Sequence, residues 1–209
     1  MSKVQTEQID VTLTEDQRDC YQEIVNVAMG QAADLLARLL NVFVIMPIPN
    51  VNLIEVSELN MALESLEGTD SASAVCQGFI GAGIAGEALL VFNDASFSDI
   101  ARLMNYQGEL TSNIELELIM DIASILNGAC LNGIAQQLDV QFSQGHPVVL
   151  GQHCNLTDLV KTKNRTWKKT LAIEINFTIE HHNVNCDLLL LFTEDSIANL
   201  NTRISFLID

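Results

Sequence analysis

From Thr14 to Leu40 the chain repeats its apolar residues with the period of an α-helix. At 100° per residue, Tyr21, Ile24, Val25, Ala28, Ala32, Leu35, Leu36 and Leu39 fall on one broad arc, which predicts a helix with that arc against a core. Thr14 and Gln17 have the spacing of a capping box, Glu15 and Asp16 suit the positive end of the dipole, and Pro47 limits the far end. Opposite the arc, Asp19, Glu23, Asn26 and Gly30 stack in a narrow stripe at spacings of four, three and four. Such a stripe reads either as a solvated helix face or as a working one. Gly30 is the odd member, since Gly inside a helix costs about 1 kcal/mol relative to Ala; close approach of a partner beside Asn26 would explain it.

Beyond this helix the pattern predicts a strand at Val51 to Val56 and a short helical stretch at Ser57 to Leu66. A hairpin follows, from Ser71 to Phe79 and Ile84 to Phe92, turning at Gly81-Ala82-Gly83, and then a capped helix from Asn93 to Asn105. A second long helix is expected from Asn113 to Leu138, and a second hairpin from Leu171 to His181 with Asp187 to Phe192.

These elements repeat. A shift of 98 residues carries Asp19 onto Glu117, Glu23 onto Asp121, Asn26 onto Ser124, Gly30 onto Gly128, Pro49 onto Pro147 and Val51 onto Val149. A shift of 100 lays GEALLVFNDAS, from Gly86, on CDLLLLFTEDS, from Cys186. The expected fold is α+β: one domain over residues 1–209, made of two repeats (about 12–105 and 110–207). Two long helices would pack on a largely antiparallel sheet with pseudo-twofold symmetry.

Composition narrows the function classes. Ten Lys and Arg against 27 Asp and Glu give a net charge of −17, which repels phosphate backbones and anionic membranes, so nucleic acid is not an expected partner. The start MSKVQTEQID is polar and no uninterrupted apolar run reaches the ~18 residues of a membrane span, so neither a secretory signal nor membrane insertion is expected. Five scattered cysteines without CxxC spacing fit reduced thiols in a cytoplasm. Lys161, Lys163, Arg165, Lys168 and Lys169 cluster around Trp167, as a solvated hairpin loop or a docking element for an acidic partner.

Two apparent motifs fail on context. Gly81 to Gly86 matches GxGxxG but leads into a strand, whereas phosphate binding needs a helix N-terminus there. His153 beside Cys154 and His181 beside His182 would point to opposite faces of a strand, and neither pair belongs to a four-ligand pattern, so no metal site is expected.

EIVNVAMGQAADLLARLL, from Glu23, resembles the signature of the CheC/CheX/FliY phosphatases of bacterial chemotaxis, Glu-x-x-Asn on a long helix followed by a Gly and an Ala-rich, Leu-rich turn. DIASILNGACLNGIA resembles a second copy, and GEALLVFNDAS and DLLLLFTEDS resemble the family's strand and helix after each hairpin. The resemblance spans nearly the whole chain and is closest to CheC-like proteins. It implies dephosphorylation of the phospho-aspartate on a CheY-type response regulator, with Asn26 orienting the attacking water and Glu23 holding the regulator's lysine. Asp19 and Gly30 would contact the partner. No cofactor of its own is implied, since the magnesium belongs to the regulator. In the second copy Asp121 and Ser124 replace Glu and Asn, and that site is expected to be silent. The alternative is a non-catalytic module using the same helix face to bind a regulator or another chemotaxis or flagellar component, as a monomer or homodimer.

Overall fold

A computed structural model describes residues 12–55, 57–59, 61, 71–155 and 168–208. Helix α1 (Glu15–Leu40) starts at the expected capping box, with the Thr14 side chain accepting from Gln17 N–H and the Gln17 side chain from Thr14 N–H, and it ends on a left-handed Asn41. Strands β1 (Val44–Ile45) and β2 (Asn50–Glu55) lead to the hairpin β3 (Ala72–Gly81) and β4 (Ile84–Asn93). Ala82 and Gly83 both have positive φ, the requirement of a two-residue hairpin turn that follows the strand twist. A single 3-10 turn joins β4 to α2 (Phe97–Leu103).

The second half repeats the order with α3 (Ser112–Gln137), β5 (Ser143–Gln144), β6 (Val148–Cys154), the hairpin β7 (Lys169–Ile179) and β8 (Val184–Thr193), and α4 (Glu194–Ile208). The short helical stretch expected after β2 lies largely outside the described residues, as does the basic cluster apart from Lys168 and Lys169.

The described strands form one sheet in the order β1-β7-β8-β4-β3-β5, with β2 also on β7 and β6 also on β3. Every described pairing is antiparallel. Val51 stands opposite Ile173, and Val149 opposite Val75. Strands β4 and β8 are covered on both faces, which accounts for their near-continuous apolar sequences. Ala88, Leu90, Phe92, Leu188, Leu190 and Phe192 enter the main core with the helices, while Leu89, Val91, Leu189 and Leu191 join a smaller cluster with Leu59 on the other face.

α1 and α3 pack against each other within the main core. Their approach is close enough at Gly133 that a Cβ there would lie 2.7 Å from Ala28 Cα. Among the described residues α3 is the one helix long and apolar enough to cross a membrane, and 61% of its apolar window is buried inside the molecule, so its apolarity serves the core. The buried arc expected of α1 needs correction at two places. Leu35 and Leu39 are 49% and 43% exposed, whereas Met29, Ala33 and Leu40 are buried.

Candidate functional site

The helical period of α1 sets the site. Tyr21, Ile24, Val25 and Ala28 are buried, so the opposite stripe is turned outward: Asp19, Glu23 and Asn26 are exposed and Gly30 is half-buried. The Tyr21 hydroxyl donates to Asn201 Oδ1 of α4 at 2.7 Å, and Gln22 Nε2 donates to the Pro49 carbonyl at 3.1 Å. These bonds fix the turns that carry Glu23 and Asn26. Neither the Glu23 carboxylate nor the Asn26 amide is hydrogen-bonded or ion-paired to another described residue, so both are available to a partner. A Cβ built on Gly30 would meet nothing within 4 Å, so no intramolecular packing requires glycine there.

On α3, Asp121 and Ser124 are exposed. The Ser124 hydroxyl, however, donates to the Met120 carbonyl at 2.8 Å and is engaged by its own helix. Asn127, one turn beyond Ser124, is completely buried, and both polar atoms of its amide lack partners among the described residues.

Beside the α1 stripe runs a groove of about 540 Å³, bounded by Asp16, Asp19, Cys20, Glu23, Ile24 and Val27 of α1, Gln137 at the end of α3, and Leu207 and Ile208 of α4. Glu23 belongs to both stripe and groove. Burial, then the Glu23 charge, raises the Cys20 thiol pKa, so this cysteine stays a thiol at neutral pH.

A second polar constellation was not visible in the sequence. His153 Nδ1 lies 2.9 Å from Asp94 Oδ2 and Nε2 lies 2.7 Å from Glu115 Oε2. Asp94 also accepts from Ser71 and, at 2.7 Å, from Ser73, whose Oγ accepts the His153 N–H at 3.3 Å. With a carboxylate on each ring nitrogen, His153 has no lone pair free for a metal. The hydrogen bond to Asp94 leads the causes that raise its pKa, burial opposes it, and the bond to Glu115 adds to it. Residues so far apart in sequence leave no local signal. Among the described residues no group of three or more His, Cys, Asp or Glu side chains is placed to hold a metal ion.

No protein-family model and no curated protein matches the chain. Solved structures do. The FliY of Thermotoga maritima superposes with a TM-score of 0.69 at 18% identity, over 93% of this chain and 98% of that one. The FliM middle domain of H. pylori gives 0.62 at 13% identity, over 91% and 99%, and a FliM-SpeE complex from the same organism is also similar, at 0.62 and 14% over 93% and 97%. A chemotactic CheC-like protein from Shewanella oneidensis gives 0.54 at 12% identity, over 82% and 99%. At these identities the likeness is one of fold, and the chain has the CheC/CheX/FliY-type fold that its two long helices resemble in sequence.

Proposed function

We propose that this chain is a phosphatase acting on the phospho-aspartate of a CheY-type receiver domain in chemotaxis or related two-component signalling, in the cytoplasm. The observation that carries the reading is the pairing of Glu23 and Asn26, exposed, unengaged and one helical turn apart on a well-anchored helix. A protein substrate needs such an open ridge. Asn26 offers a donor and an acceptor without a charge that would repel a phosphoryl group, so it can hold a water in line with the phosphorus. The water oxygen forms the new P–O bond as the bond to the aspartate carboxylate breaks, leaving phosphate and a free carboxylate; the water's proton leaves with the phosphate or the solvent. Glu23 anchors a lysine of the receiver, and the magnesium that neutralises the phosphoryl charge is the receiver's own.

We also infer that the chain is an internal duplication forming one domain. The matched strand pairings, Val51 with Ile173 and Val149 with Val75, support it. In the second copy, Asp121 is a methylene shorter than Glu and the Ser124 hydroxyl is engaged by Met120, so this site is inactive.

A second reading is a non-catalytic binding module. The likeness to FliM middle domains, one of them in a complex with SpeE, favours it. Decay of a phosphorylated receiver domain, followed with and without this protein, separates the two. Unchanged decay at a concentration that saturates binding replaces the phosphatase with the binding module.

A further inference from the structure

We propose that the groove beside Glu23 is a docking site for a basic, apolar-anchored segment of the protein partner. The inference rests on the function proposed above in taking that partner to be a receiver domain. Three carboxylates, Asp16, Asp19 and Glu23, stand along one wall, and among the described residues no Lys, Arg or His lines the groove. Val27, which continues the row of Asp19 and Glu23 on α1, and Leu207 and Ile208 of α4 are 42%, 52% and 39% exposed, so apolar surface is left facing water beside concentrated negative charge.

That pairing selects the occupant. A Lys or Arg side chain lays its aliphatic stem on apolar surface while its head reaches a carboxylate, and a neighbouring apolar residue would cover Val27 and Leu207. A volume of about 540 Å³ accommodates a few side chains, not a whole element. Nucleic acid is repelled by the same charges. On the α1 helical wheel Val27 lies about 40° to one side of Glu23 and Asn26 about 60° to the other. A segment seated in the groove therefore reaches Glu23 while leaving Asn26 uncovered. Complementary charges here raise the rate of encounter and select the partner, and the apolar contacts slow its departure.

Cys20 lines the groove and reports on its occupancy; Cys154, on β6, is the other partly exposed described thiol, and Cys76, Cys130 and Cys186 are buried. The test treats the full chain with N-ethylmaleimide in the presence of a receiver domain carrying beryllofluoride as a mimic of the phosphoryl group. Binding is measured separately from the anisotropy of a labelled receiver. The receiver at saturation is expected to slow Cys20 modification about tenfold and to leave Cys154 unaffected. Val27→Lys and Leu207→Lys, both at exposed positions, should weaken binding about tenfold and restore Cys20 reactivity, whereas Asn26→Ala binds like the wild type. Saturated binding with Cys20 fully reactive overturns the groove and leaves the phosphatase reading standing. If no receiver binds, that reading fails, and an amphipathic Lys/Leu peptide with its Glu/Leu counterpart tests the groove alone. Protection of Cys20 by the Lys/Leu peptide only supports a basic occupant; equal protection by both, or none, overturns it.

Discussion

Leu89 and Leu189 stand directly opposite each other at the middle of the β4–β8 ladder. Around this pair, Gly86 faces Phe192 and Phe92 faces Cys186. The same relation governs two buried serines: Ser96 Oγ accepts the Asn185 N–H at 3.3 Å, and Ser196 Oγ accepts the Ala85 N–H at 2.8 Å. Ser196 Oγ also donates to the Ala85 carbonyl at 3.1 Å and lies 2.7 Å from the Thr193 hydroxyl. Ser196→Ala should therefore cost about 1–3 kcal/mol of stability, and Ser96→Ala less. Urea unfolding of the two variants decides; a larger loss at Ser96 would contradict the ranking.

Asn127 is completely buried, with neither amide atom bonded to a described residue. A buried polar group left unpaired costs about 1–3 kcal/mol, and its counterpart 98 positions earlier is the buried Met29. Asn127→Met should raise the urea midpoint by an amount in that range while leaving the far-UV spectrum unchanged. A lowered midpoint would show that the amide is held by a bound water or contributes some other interaction.

Both long helices were legible from a sustained period, and the first also from its capping box: Thr14 to Leu40 was expected and Glu15–Leu40 is observed. The change of shift from 98 to 100 also has a physical origin. Two residues separate β3 from β4, and four separate β7 from β8, so the second hairpin loop inserts the difference. Strands β1 and β5 were not legible, since at two residues each they exist only because β7 and β3 extend past their neighbours. Leu35 and Leu39 were misplaced because a single arc assumes one cover along the whole helix. Leu36 and Leu40, on the same turns, are buried, so the covered side moves round the helix toward its C-terminal end. In the site, Glu23 and Asn26 followed from helical period alone. His153 did not, because Asp94 and Glu115 reach it only through tertiary structure.

His153 makes stability depend on pH in a direction that its geometry fixes. A neutral imidazole has one N–H, so with carboxylates at both nitrogens only the imidazolium donates to each. Its folded pKa is raised, with the Asp94 hydrogen bond as the leading cause, above an unfolded value of about 6.5. The stabilisation is therefore complete below about pH 6.5 and is lost as pH rises through the folded pKa. His153→Asn removes the bridge yet tolerates the φ of 52° at this position. The melting-temperature difference between wild type and variant should shrink from mildly acidic to alkaline pH. Its size is limited by the 43% exposure of the His153 side chain. A difference that stays constant across that range would mean the bridge does not titrate.

Gly30 and Gly128 stand 98 positions apart, one on each long helix, and neither would bring a Cβ within 4 Å of another group. Each change to Ala should stabilise the fold by up to about 1 kcal/mol through helix propensity. The two should differ in function. Gly30→Ala should raise the KM for the phosphorylated receiver, because its methyl group stands on the ridge with Asn26, while Gly128→Ala leaves KM unchanged. Equal kinetics for both would remove close approach as the reason for glycine at position 30.

The roles of Glu23 and Asn26 separate by what each contributes to phosphoryl transfer. A residue that positions the attacking water acts chiefly in the transition state, so Asn26→Ala should lower kcat by roughly two orders of magnitude with little change in receiver affinity. A residue that anchors a lysine acts in the ground state as well. Glu23→Gln should mainly raise KM, by roughly three- to tenfold at low salt, and the gap from the wild type should narrow at high salt, where the wild-type ion pair is already screened. Both side chains are exposed, so neither change should disturb the fold. Steady-state dephosphorylation of a receiver domain by the two variants, at low and high ionic strength, measures all four quantities. An Asn26→Ala protein with wild-type turnover would leave the ridge as a binding surface only. A Glu23→Gln defect confined to kcat and insensitive to salt would place Glu23 at the reacting phosphoryl group instead of at the lysine.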